Sequence, residues 1–478
     1  MPVTVAIVGG GVAGLAVAYE IKERSGRVPG GLDVVCLEAA DHPGGNIRSH
    51  HADGFTCEWG PNGFLDNVPA TPALVRRLGI EERLLPSDRS AAIRFIYRGG
   101  RLRKLPSGVL SFLGADILSL AGRLRVFGEP FVPPRRDPSE ESVHDFVARR
   151  IGAEAARILV DAMVSGIYGG DVRALSLQAT FPKMWRMEAD HGGLVRAMLS
   201  RKKKSGSAAA SGGPAGPGGT LTSFREGLQE LIDALAREAG PALRLQSRVV
   251  RVAEAGSRGF RLFLAGGESI DADAVVLACP AWFAAEIVSG LDVELAGALA
   301  GIPSASLAVV HFGFDEADLA RRPHGFGFLV PRGEGPRILG TLWSSSIFPG
   351  RAPAGKVLLT SMVGGAHDPE AVALDDAALT DIVRKDLGET MGIDAAPRFV
   401  RIFRQPRGIP QYTLGHIGRL EVIDRRLSAH PGLFACGNSY RGISVNACVD
   451  EAPRIADAAL EAAMRRGPGT SRIRSPGA

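Results

Sequence analysis

The sequence has few cysteines, and it lacks the residue patterns of a metal site or a nucleophilic catalytic centre. Its 478 residues include five cysteines, scattered along the chain with no close pair. An odd, dispersed set argues against a disulfide framework and against a zinc site, and it is typical of a reducing compartment. No Ser-His-Asp or Cys-His arrangement stands out. We therefore predict no metal ligands, and we assign no catalytic side chain.

Long hydrophobic runs and a strong charge imbalance are also missing. No apolar run reaches the ~18 residues that a membrane-spanning helix needs. A formal net charge of +5 is too small to indicate nucleic acid as a partner. The chain enters a strand almost at once without a basic segment before it, so we expect no signal peptide and a cytoplasmic location.

A glycine-rich turn near the N-terminus is the most informative feature that is present. Residues 3–8 alternate and are β-branched, which predicts a strand, and residues 12–24 have helical periodicity. Between them, Gly9 permits a tight turn, Gly11 lets the backbone approach a pyrophosphate, and Gly14 lets the helix pack on the strand. The N-terminus of the helix then faces the negative charge. This pattern predicts a dinucleotide site.

The residues that follow indicate which dinucleotide is bound. Glu38 ends the next strand, residues 34–37, where a carboxylate accepts both ribose hydroxyls and disfavours a 2′-phosphate. NAD and FAD both fit this arrangement. Gly44 and Gly45 permit a second close approach of the backbone, which FAD needs as it runs past the first turn, and residues 57–67 form a further Gly- and Pro-rich turn.

Longer motifs resemble the flavin-containing amine oxidase superfamily and, more narrowly, the protoporphyrinogen oxidase family, over nearly the whole chain. The opening VAIVGGGVAGLAVAYEI and the segment LEAADHPGGNIRS resemble the FAD-binding start of the superfamily. The narrower family is indicated by GPNGFLDN (60–67), SGIYGGDVRALSLQATFP (165–182), GFGFLVP (325–331), IPQYTLGH (409–416) and GNSYRGISVNACVDEA (437–452).

The resemblance implies a reaction and a cofactor. Protoporphyrinogen IX would lose six electrons to become protoporphyrin IX in haem synthesis, with non-covalent FAD, molecular oxygen as oxidant and hydrogen peroxide as by-product. The resemblance also implies the residues that hold the cofactor. They are Gly9, Gly10, Gly11, Val12, Ala13, Gly14, Glu38, Ala39, Gly45, Asn46, Gly60, Pro61, Asn62, Gly63, Val249, Gly437, Ile443, Ser444 and Val445.

A large apolar macrocycle with propionates calls for an apolar slot with few polar anchors. By resemblance, Arg94 pairs with a propionate, and Gly166 presents its backbone to the macrocycle. Leu329 and Leu339 would sandwich one ring, and Met362 would contact another. Each residue also has an ordinary alternative: a solvated arginine, a helix-ending glycine or a core side chain.

We expect an α/β fold with a discontinuous Rossmann-like FAD-binding domain, a mixed-sheet substrate domain and a helical, membrane-facing domain. The expected boundaries are 1–90, 220–300 and 410–478 for the first, 91–100 and 301–409 for the second, and 101–219 for the third. Residues 201–219 predict a mobile loop, because their composition cannot bury a core. Residues 220–238 predict a helix.

Residues 107–127 predict one amphipathic helix with Ser107 as its N-cap. Its apolar residues recur three or four apart: Leu110, Leu113, Ile117, Leu120, Leu124 and Phe127. Such a stripe packs either into a core or onto a membrane, where the arginines nearby would meet anionic headgroups. We expect the second, and hence peripheral association with the cytoplasmic membrane. The sequence leaves open whether the protein is a monomer or a homodimer.

Other functions remain open. A coproporphyrinogen III oxidase of the same family would take a substrate with four propionates, and more basic residues near the slot would favour it. An amine oxidase or a carotenoid desaturase would call for an aromatic cage or a long tunnel, against which the IPQYTLGH segment argues. A flavoprotein without enzymatic activity is the remaining alternative.

Overall fold

The computed structural model describes residues 2–106, 109–137, 139–205, 219–256 and 259–466. The fold is mixed α/β. In chain order the strands are β1 (Val3–Val8), β2 (Leu32–Leu37), β3 (Ser49–Ala52), β4 (Phe55–Glu58), β5 (Phe64–Leu65), β6 (Leu84–Pro86), β7 (Arg94–Tyr97), β8 (Leu102–Lys104), β9 (Leu221–Phe224), β10 (Leu243–Arg244), β11 (Val249–Glu254), β12 (Phe260–Leu264), β13 (Ser269–Ala272), β14 (Ala274–Leu277), β15 (Ser304–Asp315), β16 (Gly327–Leu329), β17 (Gly340–Leu342), β18 (Lys356–Gly364), β19 (Phe399–Pro410) and β20 (Leu433–Ala435).

The α-helices lie between these strands. They are α1 (Val12–Glu23), α2 (Ala70–Arg77), α3 (Val109–Gly114), α4 (Leu120–Phe127), α5 (Val143–Ile151), α6 (Ala153–Ala155), α7 (Asp161–Tyr168), α8 (Leu177–Thr180), α9 (Pro182–His191), α10 (Leu194–Ser205), α11 (Gln229–Ala239), α12 (Ala281–Val288), α13 (Val293–Ala300), α14 (Ser344–Ile347), α15 (Asp376–Met391), α16 (His416–Ala429) and α17 (Val445–Arg466). None of the described helices is both long enough and apolar enough to cross a membrane.

A parallel sheet of five strands, in the order β10-β2-β1-β14-β20, joins segments from both ends of the chain. Its central strand β1 is buried on both faces, as expected for a parallel sheet. Val5 and Ile7 belong to the hydrophobic cluster that contains α1, α11 and α17, whereas Ala6 and Val8 belong to the cluster with α12 and α13. The two-residue period of β1 therefore fixes both packing layers.

A second, mixed sheet has seven strands in the order β19-β15-β18-β17-β16-β7-β8. One face packs against α15: Phe95 and Phe328 from the sheet share a hydrophobic cluster with Leu379, Val383 and Leu387 of the helix. The side-chain Oδ1 of Asp375 accepts a hydrogen bond from the amide of Ala378 and caps α15. The other face of this sheet is turned toward the rest of the protein and carries the candidate substrate residues.

The expectation of a single helix over residues 107–127 is wrong, because α3 and α4 are separate helices. Ser119 is the reason: its hydroxyl accepts the amide of Gly122 as the N-cap of α4, and its own amide and hydroxyl donate to Glu154. Ile117 is 2% exposed and lies in the core. The expected N-cap Ser107 and the side chains of Leu110 and Leu113 lie outside the described residues.

Two further expectations are corrected around the low-complexity segment. The first five residues of the expected loop 201–219 belong to the end of α10, and residues 206–218 lie outside the described part of the chain. The helix expected over residues 220–238 begins only at Gln229. Before it, β9 pairs with β5 and β6, which come from distant parts of the sequence.

Candidate active site

In the first glycine-rich turn, between β1 and α1, no side chain of the described residues caps the backbone amides at the start of the helix. Gly9 has a φ of +113°, and a Cβ there would lie 2.8 Å from the carbonyl oxygen of Ala278. A Cβ at Gly14 would collide with the carbonyl oxygen of Gly9. At Gly11, by contrast, a Cβ would approach only Gly44, at 4.0 Å. No side chain caps α1, so its first amides are available to an anion such as a pyrophosphate.

Glu38 stands beside this turn at the end of β2. Its Oε2 accepts the amide of Gly10 at 2.7 Å, and its Oε1 accepts the amide of Ala40 at 2.8 Å. Ala39, between them, is exposed. The amide of Ser247 donates to the carbonyl oxygen of Glu38 at 2.8 Å. The bonds from Gly10 and Ala40 orient the carboxylate next to the glycine-rich turn.

Val249 lies at the start of β11, shortly after Ser247, whose amide bonds to Glu38. It is 1% exposed and belongs to the hydrophobic cluster with β14 and α12. Its position two residues after Ser247 places its backbone near Glu38. The structure thus places the start of β11 close to the main chain of Glu38.

A second group of backbone turns lies next to the first. The amide of Gly44 donates to the carbonyl of Gly10 at 2.8 Å, and the exposed Gly45 and Asn46 follow. The side-chain amide of Asn46 donates to the carbonyl of Gly408 at 2.9 Å, which connects this turn to the end of β19. The turns therefore form a continuous backbone surface of the kind that an extended dinucleotide can contact.

Residues 60–63 extend this surface. A Cβ at Gly60 would lie 2.5 Å from the carbonyl oxygen of Asn46, and one at Gly63 would collide with the carbonyl oxygen of Thr222. Pro61 and Asn62 are half-buried between the two glycines. Glycine is thus required at both ends of the turn by close backbone contacts.

The C-terminal turn reaches the same place from the far end of the sequence. Gly437 has a φ of +112°, and a Cβ there would lie 3.5 Å from the Cβ of Ala13. Val445 begins α17 and shares a hydrophobic cluster with Ala13. The hydroxyl of Ser444 accepts the amide of Ala447 at 3.1 Å, and Ile443 packs beside α7. The starts of α1 and α17 thus lie together.

Three candidate substrate residues lie on one face of the seven-stranded sheet. Arg94 of β7 pairs with Gly327, whereas Leu329 pairs with Gly340, and Gly340 pairs in turn with Met362. Residues that are directly paired across neighbouring strands project to the same face, as do residues two apart on one strand. Arg94 therefore lies ~7 Å along the strand direction from Leu329.

Helix α7 covers this face at Gly166, where a Cβ would lie 2.5 Å from Cδ2 of Leu329. Leu339 is half-buried, and its amide donates to the carbonyl of Met362 at 2.8 Å. The guanidinium of Arg94 lies 4.9 Å from the centroid of the Phe326 ring, and burial lowers the pKa of this arginine. Arg94, Gly166, Leu329 and Met362 thus come together from β7, α7, β16 and β18, whereas Leu339 precedes β17 and is joined to Met362 through its main chain.

The sequence interpretation missed a buried ion pair beside the site. Glu58 and Arg351 lie 3.2 Å apart and are almost inaccessible to solvent. The hydroxyl of Ser49 donates to Glu58 at 2.7 Å, and Arg351 donates to Ser223 at 2.9 Å. Burial raises the pKa of Glu58. A carboxylate that ends the otherwise uncharged strand β4 is the signal that could have revealed it.

Comparisons with known proteins agree on one family. The model of the flavin containing amine oxidoreductases matches residues 12–460. A coproporphyrinogen III oxidase of Bacillus subtilis is 30% identical over 95% of this chain and 97% of its own. A chloroplastic protoporphyrinogen oxidase of Nicotiana tabacum is 33% identical over 94% of this chain and 84% of its own.

A solved structure is similar over almost the entire fold. It is a crystal structure from Exiguobacterium sp. 255-15, of a protein provisionally assigned as a protoporphyrinogen oxidase. It has a TM-score of 0.82 and 25% sequence identity, and the match covers 96% of this chain and 99% of that one.

Proposed function

The chain belongs to the flavin containing amine oxidoreductase family, and from that membership we propose that this FAD-dependent oxidase converts a porphyrinogen to its porphyrin. The observation that carries the proposal is the sheet face with the half-buried Arg94, which α7 links to the glycine turns through its contacts with Leu329 and Ile443. The names of the Bacillus and Nicotiana relatives support the same substrate class.

The glycine turns fit FAD because their close contacts leave backbone amides, not side chains, facing the cofactor. When bound, FAD supplies two-electron chemistry, taking up hydride and returning the electrons to molecular oxygen as hydrogen peroxide. Residues 9–14 hold the pyrophosphate and Glu38 the ribose. The amides of residues 443–445, at the positive end of α17, stabilise negative charge on the isoalloxazine ring.

FAD binds without a covalent bond in this proposal. All five cysteines are buried, and burial raises the pKa of the Cys436 thiol well above its usual value. A thiol of this kind is a poor nucleophile, because the thiolate is the reactive form. Trichloroacetic acid precipitation of the holoprotein should therefore release the flavin into the supernatant.

The substrate lies on this face of the sheet, beside the contact between Gly166 of α7 and Leu329. Arg94 holds a propionate, whereas Leu329, Leu339 and Met362 contact the apolar rings, and these groups orient a meso carbon toward the flavin. Pyrrole N–H protons leave to water or to backbone carbonyls. A desolvated arginine binds a carboxylate strongly through charge-assisted hydrogen bonds.

The test is to supply protoporphyrinogen IX and coproporphyrinogen III separately in air and to follow porphyrin fluorescence and peroxide. We expect enzyme-dependent porphyrin from one or both, with three molecules of peroxide for each porphyrin. The two relatives differ in this respect, so the ratio of the two kcat/KM values assigns the substrate. Rates equal to spontaneous oxidation for both would contradict the proposal.

Gly166→Ala tests the position of α7. The new Cβ would meet the flexible end of Leu329 at 2.5 Å, so Leu329, which is proposed to line the slot, must change its side-chain conformation. Alanine favours a helix by about 1 kcal/mol over glycine, which offsets the local strain. We therefore expect thermal stability within about 1 kcal/mol of the parent and a KM at least about tenfold higher. A lowered Tm with an unchanged KM would show that Gly166 serves only packing.

We also propose that the helical region binds a membrane surface that contains anionic lipid, on the cytoplasmic side. Leu120 and Leu124 of α4, with exposed fractions of 66% and 61%, are joined by Phe131 at 87% and by Leu199 of α10 at 63%. Arg125 does not reach toward headgroups, since its guanidinium donates to main-chain carbonyls of α5. Insertion of the exposed apolar side chains therefore contributes to the binding without help from Arg125.

Flotation with such liposomes tests this surface. We expect the parent protein to float and the Leu124→Ser/Phe131→Ser variant to lose most of that binding. Val293→Ser removes an equally exposed residue, at 81%, from α13 and is the matched control, expected to float normally. Parent protein that stays at the bottom of the gradient would refute membrane binding.

A further inference from the structure

The turn between β20 and α17 depends on other segments for its shape. Residues 437–442 form this turn, and Gly437 and Gly442 within it have φ values of +112° and +144°. Inside the turn, the amide of Tyr440 donates to the carbonyl of Gly437 at 3.4 Å, which is a long and therefore weak hydrogen bond. The turn leads directly to residues 443–445, so any freedom in it is passed to the start of α17.

Tyr412, two residues after β19, holds the two ends of this turn together. Its hydroxyl donates to the carbonyl of Asn438 at 2.6 Å and accepts the amide of Gly442 at 2.8 Å. The residue is 1% exposed, and its main-chain carbonyl accepts the amide of Ser176 at 2.8 Å. One oxygen atom on a fixed side chain therefore sets the distance between the ends of the turn.

His416, at the start of α16, holds the middle of the same turn. Its ring stacks on that of Tyr412 with centroids 4.2 Å apart and planes at 20°. Its Nε2 lies 2.8 Å from the carbonyl oxygen of Tyr440, so the proton is on Nε2, which donates. Burial lowers the pKa of His416, which favours the neutral ring. The QYTLGH segment thus binds the turn at three backbone groups.

We propose that the Tyr412 hydroxyl and the His416 imidazole are positioning residues that fix the amides of residues 443–445 against the flavin ring. The inference rests on the proposed place of that ring at the start of α17. Both side chains act through the backbone of the turn and not by contact with substrate. If the hydrogen bonds from Tyr412 or from His416 to the turn are lost, the amides of residues 443–445 are held less firmly. These amides must be preorganised to stabilise negative charge on the flavin ring.

Tyr412→Phe tests this role, because it keeps the stacked ring and removes only the hydroxyl. Tyr168→Phe is the matched control. The Tyr168 ring lies 6.4 Å from that of Tyr412, and its hydroxyl donates to Thr180 at 3.1 Å, away from the turn. Each variant is compared with the parent for its FAD dissociation constant, flavin midpoint potential and Tm, all without substrate.

We expect Tyr412→Phe to bind FAD about tenfold more weakly, because the carbonyl of Asn438 and the amide of Gly442 lose their shared partner and FAD must then order the loosened turn when it binds. Its flavin potential should become more negative, whereas Tyr168→Phe should match the parent in both measurements even where its Tm falls. His416→Phe keeps the stack without the N–H donor and should shift the potential in the same direction.

Unchanged affinity and potential in Tyr412→Phe would overturn the inference, and so would equal shifts in Tyr412→Phe and Tyr168→Phe, which would indicate general loosening. An unchanged potential in His416→Phe would overturn the role of the imidazole. These measurements need no porphyrinogen. A parent enzyme inactive on both porphyrinogens would therefore contradict the proposed function while leaving this inference to be decided separately.

Discussion

Gly14→Ala is expected to give a protein that folds but is isolated without flavin. The new Cβ would collide with the carbonyl oxygen of Gly9 and would lie 3.1 Å from the Cβ of Ala278. Both neighbours are fixed by β1 and β14, so α1 must move outward. The gain of about 1 kcal/mol in helix propensity does not restore the turn, and the amides at the start of α1 no longer face the pyrophosphate.

The measurement is the ratio of visible flavin absorbance to protein absorbance after gel filtration, followed by titration with FAD. We expect the dissociation constant to rise at least about 100-fold, as when more than about 2.7 kcal/mol of binding is lost. Gly26→Ala is the control, because a Cβ at that position meets nothing within 4 Å. Gly14→Ala protein that is as yellow as the Gly26→Ala protein would contradict the cofactor site.

Arg94→Ala is expected to raise KM strongly and to change kcat little. Hydrogen bonds to a charged group contribute about 1.5–3 kcal/mol, which corresponds to a KM increase of roughly 10- to 150-fold. The propionate is remote from the reacting carbon, so its binding is common to the ground state and the transition state. FAD binding should be unaffected.

Steady-state kinetics with the preferred porphyrinogen checks this result. Arg101→Ala removes an arginine that is 65% exposed and paired with Asp116, close to the same strands but not on the proposed slot, and it should leave KM unchanged. A KM equal to that of the parent in Arg94→Ala would assign Arg94 to packing over Phe326 and not to substrate.

The N-terminal turn could be predicted from sequence because its signals are local. The alternation in β1, the helical period of α1 and the glycines between them lie within residues 3–24, so neighbouring residues decide the outcome. The break between α3 and α4 could not be predicted in this way. It depends on Glu154, which binds Ser119 from 35 residues away.

The arrangement of the candidate substrate residues on the seven-stranded sheet could not be predicted from the sequence either. β7 lies parallel to β16, so Arg94 is opposite Gly327 across a separation of more than two hundred residues. The pairing of such distant residues cannot be predicted from their spacing in the sequence, and only the family resemblance indicated Arg94. β9 was missed for a related reason: Leu221–Phe224 becomes a strand because β5 and β6 offer it partners, and local propensity is overridden.

The most direct test of the account is anaerobic mixing of the oxidised holoprotein with protoporphyrinogen IX and, separately, with coproporphyrinogen III. We predict rapid loss of the visible flavin absorbance with at least one of them, and its return when oxygen is admitted. Flavin that stays oxidised with both substrates would contradict the claim that the turns of residues 9–14 and 437–442 hold FAD beside a porphyrinogen slot.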